Sequence, residues 1–369
     1  MKRRLFLQSA ASLLLLGPRA ALAGPLPSDA RMLVAIHLAG GNDGLNTVVP
    51  WRDPRYRQAR PSLALGEADL WQPGGPLAFN AALSPLRALW DRGLLSVVNG
   101  VGYPEPVRSH FRSAEIWQSG GPGARTGWLA RTLEHTRGRG ISVDTPISRA
   151  LQSPAISPWA VGPADSFHYD DIDPVTHAAL DDLYRQADPH LRETWTGLQT
   201  ALHVSATADP HMPPTEPGKA LATLLAFMPA AQIYHVGLHG FDTHANQRNR
   251  QHKALEEAAT AVAAAWKAVE DRGLADRTTF MLYSEFGRRV EENASGGTDH
   301  GTAGPLFIIS QGLRRGWQGE YPSLGNLTDG DLRYTIDFRQ VYASVLEQWL
   351  GQRAEPVLGE TFPILPLWA

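Results

Sequence analysis

Five apolar runs with β-strand character, each adjoining a short polar loop, constrain the fold of this chain more than any other feature. The runs cover residues 32–38, 94–98, 233–238, 278–283 and 305–310. A polar loop follows each of the first four runs and precedes the fifth. In an open parallel sheet, ligands bind beyond the carboxyl ends of the strands, so these loops are expected to converge on one crevice. The pattern predicts an α/β fold with one composite site.

A long amphipathic helix is predicted at 247–273, between the third and fourth runs. Apolar residues recur on one face of this segment, and Gly273 is placed to end it. The order strand, helix, strand favours a right-handed parallel crossover. A second helix is predicted at 337–351, and Asp337 at its start is typical of a helix N-cap.

The length of 369 residues, with 43% hydrophobic and 19% charged residues, suits one large α/β domain or two smaller ones. We favour a single domain over residues 24–369, because the candidate site residues come from both ends of the chain. A Pro-, Gly- and Ser-rich region at about 119–229 has no obvious strand ladder and is predicted to cap the site or cover the sheet. Within it, 174–204 could hold an amphipathic helix.

Residues 1–23 have the pattern of a signal peptide. Residues 2–4 are basic, 10–16 are mostly apolar, and 21–23 form a small-residue cleavage site. The apolar stretch is shorter than the roughly 20 residues that cross a bilayer, so no membrane span is predicted in the mature protein. The paired arginines resemble a twin-arginine signal. This predicts the twin-arginine export machinery as a partner and a periplasmic or secreted location.

The charge and the cysteine content exclude several classes of partner and site. Removal of residues 1–23 takes away four basic residues and no acid, so the net charge falls from −3 to about −7. This balance argues against nucleic acid as a partner. The chain has no cysteine, so any metal site must use oxygen and imidazole donors.

Two of the polar loops carry candidate metal ligands. His239, Asp242 and His244 lie within six residues, and mixed nitrogen and oxygen donors suit zinc or a similar divalent ion. His300, preceded by Asp299, supplies an imidazole from a second loop. A structural role is the ordinary alternative for any one of these histidines.

Two acidic residues near other strand ends have both a functional and a structural interpretation. Asp43 lies in a glycine-rich turn that leaves room for a ligand, but an Asn-Asp-Gly sequence also favours a turn by itself. Glu285 could bind a metal or form an ordinary ion pair with Arg288 or Arg289.

Ser109 precedes a helix predicted at 110–117, and it also has both a structural and a functional interpretation. As an N-cap it would satisfy a backbone N–H group. As a nucleophile it would use the positive helix end to stabilise an oxyanion, and a nearby cation to lower the pKa of its hydroxyl. No Gly-x-Ser-x-Gly sequence surrounds it, so an ordinary α/β-hydrolase triad is not expected.

Five segments together resemble a known family. They are GGNDGLNT at 40–47, SHF at 109–111, GFDTH at 240–244, SEFGR at 284–288 and TDHG at 298–301. The resemblance is to the exported bacterial proteins of domain-of-unknown-function family 1501, which is grouped with the alkaline phosphatase and sulfatase superfamily. It spans almost the whole mature chain and implies an alkaline-phosphatase-like three-layer α/β sandwich. In this fold a mostly parallel central sheet has helices on both faces.

The resemblance also implies a site. Superfamily members bind two divalent metals at the carboxyl edge of the sheet and attack a phosphate or sulfate ester with Ser, Thr or formylglycine. The implied nucleophile is Ser109. The implied metal ligands are Asp43, Asp242, His244, Glu285 and His300, with His239 and Asp299 as further candidates. Asn42, His110 and Arg288 are candidate substrate-binding residues, and the planar fork of Arg288 suits an anionic group.

In the implied mechanism, one metal held by Asp43 and Glu285 activates Ser109. A second metal, held by Asp242, His244 and His300, polarises the ester oxygen. One or two divalent ions are expected, with zinc favoured and calcium, magnesium or manganese as alternatives.

Three departures from the superfamily pattern affect these expectations. Only Thr243 separates Asp242 from His244, where three residues are usual, so His239 or Asn246 stays open as the partner of Asp242. Phe286 after Glu285 replaces the imidazole of the usual Asp-His pair, which weakens one metal site or removes it. No Cys or Ser-x-Pro-x-Arg sequence stands at the nucleophile, which argues against a formylglycine sulfatase.

The sequence therefore predicts an exported metal-dependent hydrolase of phosphate or related sulfate esters, with a small-molecule or glycan ester as substrate. The alternative is a non-catalytic exported binding or structural protein that keeps the fold and one metal. A phosphoglycerate-mutase-like transferase is disfavoured, because export separates the protein from cytosolic metabolites.

Overall fold

The computed structural model of the protein describes residues 26–136, 138–144, 146–162, 174–186 and 211–369. The predicted signal peptide at residues 1–23 lies outside the described residues. So does the part of the helix predicted at 174–204 that follows residue 186.

The described residues form fourteen strands and nine α-helices. The strands are β1 (Met32–Leu38), β2 (Val48–Val49), β3 (Leu70–Trp71), β4 (Ala78–Asn80), β5 (Leu95–Gly102), β6 (Gly140–Val143), β7 (Trp159–Ala160), β8 (Ile233–Leu238), β9 (Thr278–Tyr283), β10 (Gly304–Ile309), β11 (Gly316–Gln318), β12 (Leu327–Thr328), β13 (Asp331–Leu332) and β14 (Ile336–Asp337). The α-helices are α1 (Pro54–Ala59), α2 (Arg87–Asp91), α3 (His110–Ser119), α4 (Trp128–Thr136), α5 (Pro174–Gln186), α6 (Glu216–Ala226), α7 (Gln247–Asp271), α8 (Phe338–Ser344) and α9 (Glu355–Leu358). Short 3₁₀ turns cover Glu67–Asp69, Ala81–Leu86, Arg149–Leu151 and Ala275–Arg277, and a π turn at Val345–Trp349 continues α8.

The central sheet has the strand order β11-β5-β10-β9-β1-β8-β6-β7, and β14 also pairs with β5. β1 pairs in parallel with β8 and β9, whereas β10 is antiparallel to both β9 and β5. The carboxyl ends of β1, β5, β8 and β9 therefore lie at one edge of the sheet, together with the amino end of β10. The loops singled out from the sequence all meet at this edge, which we call the site edge.

The sheet is buried on both faces, which makes it the middle of three layers. Val34 and Ile36 of β1 pack on the side that is covered by α6 and α7, where Trp266 is fully buried. Leu33 and Ala35 pack on the opposite side, which is covered by α3, α4 and α8. Burial on both faces explains why β1 reads as a nearly continuous apolar run. The predicted α/β fold, with a mostly parallel sheet and helices on both faces, is confirmed.

Most predicted elements have the expected bounds, and two predictions needed correction. β5 extends through residues 99–102, which were predicted to be a loop, because Val101 pairs with Ile336 of β14. The region 119–229, predicted to have no strand ladder, contributes β6 and β7 to the sheet, and β6 pairs in parallel with β8. These strands have only four and two residues, too short for a clear alternation in the sequence.

The two predicted helices near the site edge are present. α7 ends at Asp271, two residues before Gly273, which adopts a φ of +66°. Asp337 caps α8, since its carboxylate accepts a hydrogen bond of 2.9 Å from the backbone N–H of Arg339. Among the described residues, no helix has both the length and the apolar character needed to span a membrane.

Candidate metal centre

Four side chains converge at the site edge: His110, Asp242, His244 and His300. One nitrogen or oxygen atom from each lies within 4.8 Å of the corresponding atoms of the others. His110 is the first residue of α3, and Asp242 and His244 follow β8. His300 lies in the loop before β10. Because β10 runs antiparallel to its neighbours, this loop reaches the same edge as the loops that follow the parallel strands.

Four of the six distances between ligand atoms in this four-residue cluster are close to those of a tetrahedral metal site. The Nε2 atom of His244 lies 2.9 Å from Nε2 of His300 and 3.0 Å from Oδ1 of Asp242. The same Asp242 oxygen lies 3.4 Å from Nε2 of His110 and 3.5 Å from Nε2 of His300. Zinc bonds of 2.0–2.1 Å place neighbouring tetrahedral ligands about 3.3 Å apart. The cluster therefore needs little rearrangement to surround one ion.

Each imidazole of the cluster has an oxygen partner at its other ring nitrogen. Nδ1 of His110 donates to Glu285 Oε1 at 2.7 Å, and Nδ1 of His300 donates to the carbonyl of Arg108 at 2.8 Å. Nδ1 of His244 lies 3.4 Å from Asp299 Oδ1. Such partners fix the ring orientation and tautomer of metal-binding histidines, because they leave the Nε2 lone pair free.

A buried nitrogen atom without a hydrogen-bond partner also indicates a metal site. Nε2 of His110 is buried and, among the described residues, has no hydrogen-bond partner. A buried polar atom without a partner is costly, so it needs an explanation. The donor set of three imidazoles and one carboxylate fits a divalent ion such as zinc, which would give this nitrogen a bond.

The pKa shifts of the cluster residues favour the protonation state that binds metal in some cases and oppose it in another. Burial lowers the pKa of His300, and nearby His110 and Arg288 act in the same direction, which favours the neutral imidazole. The hydrogen bond to Glu285 raises the pKa of His110, although burial opposes it, so an ion would have to displace a proton there. Burial raises the pKa of Asp242, but Arg288, His110 and His244 together lower it by more, and the net pKa lies below the ordinary value.

Arg288 orients Asp242 from beneath the cluster, and its side chain is fully buried. Its guanidinium donates to Asp242 Oδ1 at 2.6 Å, to the carbonyl of Gly41 at 2.6 Å and to the carbonyl of Thr298 at 2.9 Å. It also donates to the carbonyl of Gly40. With its donors committed to the protein, Arg288 does not have the free fork expected of a substrate clamp, and that expectation is corrected.

Asp43 is not brought into the cluster. It forms an ion pair with Arg60 in which both side chains are fully buried, and Arg60 Nη2 lies 2.9 Å from Asp43 Oδ1. Gln247 and the backbone N–H of Leu45 also donate to the same carboxylate. Because both oxygens are already satisfied, the expectation that Asp43 is a metal ligand is corrected to a structural role.

The glycines beside Asp43 let the turn pack closely against neighbouring residues, rather than leaving room for a ligand. Gly40 and Gly41 have φ values of +120° and +67°. A Cβ atom on Gly40 would overlap the backbone of Asp242, and one on Gly41 would overlap the ring of Phe286. The turn therefore supports the loop that carries Asp242.

Glu285 is 2% exposed and lies behind the cluster. Its Oε1 atom accepts from His110 Nδ1 and, at 2.9 Å, from the N–H of Gly40, while Oε2 accepts from His37 Nε2 at 2.9 Å. Burial raises the pKa of Glu285, but these donors lower it by more, so the carboxyl is ionised. The expectation that Glu285 is a metal ligand is corrected, because it orients the ligand candidate His110 instead.

The remaining candidates surround the cluster without joining it. Asn42 is 3% exposed and its amide bonds Thr47 at 3.0 Å, so it is not available to a substrate. His239 is exposed and, like Asn246, lies outside the four-residue cluster. The carboxylate of Asp299 lies near Nδ1 of His244 and not near the Nε2 atom that belongs to the cluster. The metal-binding roles of Asp242, His244 and His300 stay predictions, but the structure brings these residues together.

Ser109 is exposed and occupies the N-cap position of α3, yet its hydroxyl makes no capping hydrogen bond. The hydrogen bond that an N-cap role for Ser109 requires is therefore not formed. Its neighbours on both sides serve the cluster, since His110 belongs to it and the Arg108 carbonyl orients His300. The nucleophilic role of Ser109 stays a prediction.

Two residues in the site were missed from the sequence. His37 carries a signal in retrospect, because it is a polar residue within the otherwise apolar strand β1. Arg60 carries none, since one arginine among several in a polar segment does not identify Asp43 as its partner. His110 was predicted to bind substrate, whereas it lies among the candidate metal ligands.

The fold and the cluster together define an α/β protein with three histidines and one aspartate that could hold a metal ion at the edge of its sheet. The chain belongs to the family described as "Protein of unknown function (DUF1501)", whose model matches residues 97–352. This confirms the resemblance drawn from the sequence motifs. A comparison with curated proteins found no match.

Several solved structures are similar to the chain. A protein of the alkaline phosphatase superfamily from Vibrio parahaemolyticus has a TM-score of 0.41 and 10% identity, over 98% of this chain and 79% of that one. The C-terminal periplasmic domain of EcEptC from Escherichia coli, in complex with Zn, has a TM-score of 0.37 and 11% identity, over 80% and 77%. Alkaline phosphatase from the Antarctic bacterium TAB5 has a TM-score of 0.35 and 10% identity, over 78% and 94%. All three TM-scores are below 0.5, so the function proposed next rests on the residues of the chain itself.

Proposed function

We propose that the chain is an exported, metal-dependent hydrolase of phosphate or related sulfate esters. The observation that carries this proposal is the four-residue cluster together with Ser109, the exposed residue before His110, whose hydroxyl makes no capping hydrogen bond. Export is inferred from the pattern of residues 1–23.

His110, Asp242, His244 and His300 would hold one divalent ion, and the three imidazoles favour zinc over magnesium or calcium. When bound, such an ion supplies positive charge that polarises an ester oxygen and lowers the pKa of a nearby hydroxyl. The side chains of Asp242 and His244 are 50% and 45% exposed. This exposure would let an ester reach the centre from solvent.

The chain's own residues supply the other groups that ester hydrolysis needs. The Ser109 hydroxyl would lose its proton to solvent as its oxygen bonds to phosphorus or sulfur, and the bond from that atom to the alcohol oxygen would break. The departing alcohol would take a proton from solvent. Water would then hydrolyse the serine ester, which releases the acid and restores the Ser109 hydroxyl. The first N–H groups of α3 have no intrahelical acceptor and carry partial positive charge, which suits them to bind the anionic oxygens. Arg288 keeps Asp242 in place, and Glu285 keeps His110 in place.

One observation favours the alternative of a non-catalytic protein with a single structural metal. The described residues provide one cluster rather than two, because Asp43 and Glu285 are committed to other partners. Four protein ligands also complete a tetrahedron, which is typical of structural zinc sites, whereas catalytic sites keep a position open. An ester would then need a fifth coordination position or the displacement of Asp242.

The test is to measure hydrolysis of phosphomonoesters, phosphodiesters and sulfate esters together with bound zinc. The proposal predicts turnover by the metal-loaded protein and loss of turnover in Ser109→Ala, with metal content unchanged. Ser84→Ala, at an exposed serine in the 3₁₀ turn Ala81–Leu86, is the control and should keep full activity. Unchanged turnover in Ser109→Ala would remove Ser109 from the mechanism. Bound zinc with no turnover on any ester would favour the non-catalytic alternative.

A further inference from the structure

His37 is a buried polar side chain in a strand that is otherwise apolar. It is 7% exposed and belongs to β1, whose sequence is MLVAIHL. Its Nε2 atom donates to Glu285 Oε2 at 2.9 Å. A buried histidine in the middle of a sheet costs desolvation, so its hydrogen bond needs to be explained.

Glu285 links His37 to the metal centre. One carboxylate oxygen accepts from His37, and the other accepts from His110 Nδ1 at 2.7 Å and from the Gly40 N–H at 2.9 Å. Hydrogen bonds to both oxygens thus hold the Glu285 carboxylate in place and prevent it from rotating away from His110. These hydrogen bonds connect His37 through Glu285 to the His110 ring. The Nε2 atom of that ring has no hydrogen-bond partner among the described residues.

The His37 ring is itself held in place by the neighbouring strand. It pairs in register with Tyr283 of β9, and the two rings stack with centroids 5.0 Å apart and an angle of 14° between their planes. The Tyr283 hydroxyl lies 3.1 Å from Nε2 of His235, and Nδ1 of His235 lies 3.2 Å from Asp144. The stack on Tyr283 fixes the plane of the His37 ring, whereas the hydrogen bonds of His235 go to Tyr283 and Asp144 and not to His37.

We propose that His37 is a positioning residue for the metal centre, which it serves by fixing Glu285 and, through Glu285, the ring and tautomer of His110. This inference rests on the proposed metal centre. Without the N–H of His37, Glu285 Oε2 would keep only a contact of 3.2 Å with the Ser284 hydroxyl, which also donates to the Leu38 carbonyl at 2.7 Å. Glu285 would then reorient, and His110 would lose its fixed lone-pair direction. Loss of such outer partners typically lowers metal affinity about 10–100-fold.

His235 provides a matched control within the same sheet. It is also a buried histidine, 1% exposed, on the neighbouring strand β8. In register it lies beside Ala35, two residues before His37 and on the same face. Its ring nitrogens bond Asp144 and Tyr283 rather than Glu285. A substitution at His235 should therefore disturb packing to a similar extent without acting on His110.

The experiment compares zinc affinity, by competition with a chelator, in the wild type and in four variants. His37→Phe keeps a ring to stack on Tyr283 and removes the N–H, and His37→Met is a second loss variant in case the larger ring is not accommodated. His37→Gln restores an N–H donor, and His235→Phe is the packing control. Urea unfolding of the metal-free proteins measures stability separately. The visible absorption of the cobalt-loaded proteins reports on coordination.

We expect zinc affinity to fall about 10–100-fold in His37→Phe and His37→Met, with an altered cobalt spectrum. His37→Gln should recover most of the affinity, and His235→Phe should bind zinc like the wild type even if it is less stable. Wild-type affinity in the His37 loss variants, or an equal loss in His235→Phe, would overturn the role of His37 while leaving the metal centre intact. Absence of zinc binding by the wild type would instead contradict the metal centre itself, and this inference with it.

Discussion

The Nε2 atoms of His244 and His300 lie 2.9 Å apart, although each ring already turns its Nδ1 toward an oxygen. Two imidazole lone pairs repel at this distance unless a proton or a metal cation lies between them. Oδ1 of Asp242 lies within 3.5 Å of both nitrogens and adds negative charge at the same point. The arrangement therefore favours a bound cation at the centre of the cluster.

Removal of one cluster histidine should abolish tight zinc binding. His300→Ala is expected to lower zinc affinity by more than the roughly 100-fold seen when an outer partner is lost, because a direct ligand disappears. His239→Ala is the control, since His239 is exposed in the same loop as His244 but lies outside the cluster. The measurement is zinc content after dialysis. Equal loss in the two variants would contradict the ligand assignment.

Asp43→Asn should reduce stability and leave the metal in place. The substitution leaves Arg60 as an uncompensated buried charge, which typically costs about 3–5 kcal/mol. The control is Asp271→Asn, which breaks an exposed pair with Lys267 on α7 and should cost no more than about 1 kcal/mol. Urea unfolding and zinc content check both effects. Loss of zinc by a fully stable Asp43→Asn protein would restore Asp43 as a ligand.

Arg288→Met should affect both stability and metal affinity. The side chain is of similar length, but Asp242 and the carbonyls of Gly41 and Thr298 lose a shared donor. We expect a loss of about 1–3 kcal/mol in the free energy of unfolding for each buried carbonyl left without a donor, together with weaker zinc binding. Arg250→Met, at an exposed position of α7, should change neither quantity. A change in the KM for an ester alone, with stability preserved, would instead support a substrate clamp.

Gly41→Ala should be more destabilising than Gly273→Ala, although the two glycines share nearly the same φ, +67° and +66°. Both substitutions carry the left-handed backbone strain of about 1–2 kcal/mol. Only Gly41 has a neighbour in the way, the ring of Phe286, whereas nothing lies within 4 Å of the Cβ position at Gly273. Overpacking should add about 1–3 kcal/mol at Gly41, measured by urea unfolding. Equal effects would mean that the turn does not pack tightly against Phe286.

The sequence predicted where the site lies better than what each residue does there. Strand ends are visible as apolar runs that stop at polar loops, so the convergence of Asp242, His244 and His300 followed from the topology of a parallel sheet. The partner of each polar residue is not visible in this way. Asp43 and Glu285 lie at the same edge as the cluster, but Arg60 and His37 satisfy them, and neither partner belongs to a sequence motif.

The short strands were missed for a related reason. β6 and β7 are held by pairing with longer neighbours rather than by a periodic pattern of their own. The extension of β5 depends on Ile336, which lies more than 200 residues away in the chain. Such long-range pairing overrides the turn preference of Asn99 and Gly100.

The most direct test of the account is an anomalous difference map from crystals of the zinc-loaded protein, measured at the zinc absorption edge. The account predicts one strong peak enclosed by Nε2 of His110, His244 and His300 and by Oδ1 of Asp242. A map without a peak at that position, or with its main peak beside Asp43, would contradict it.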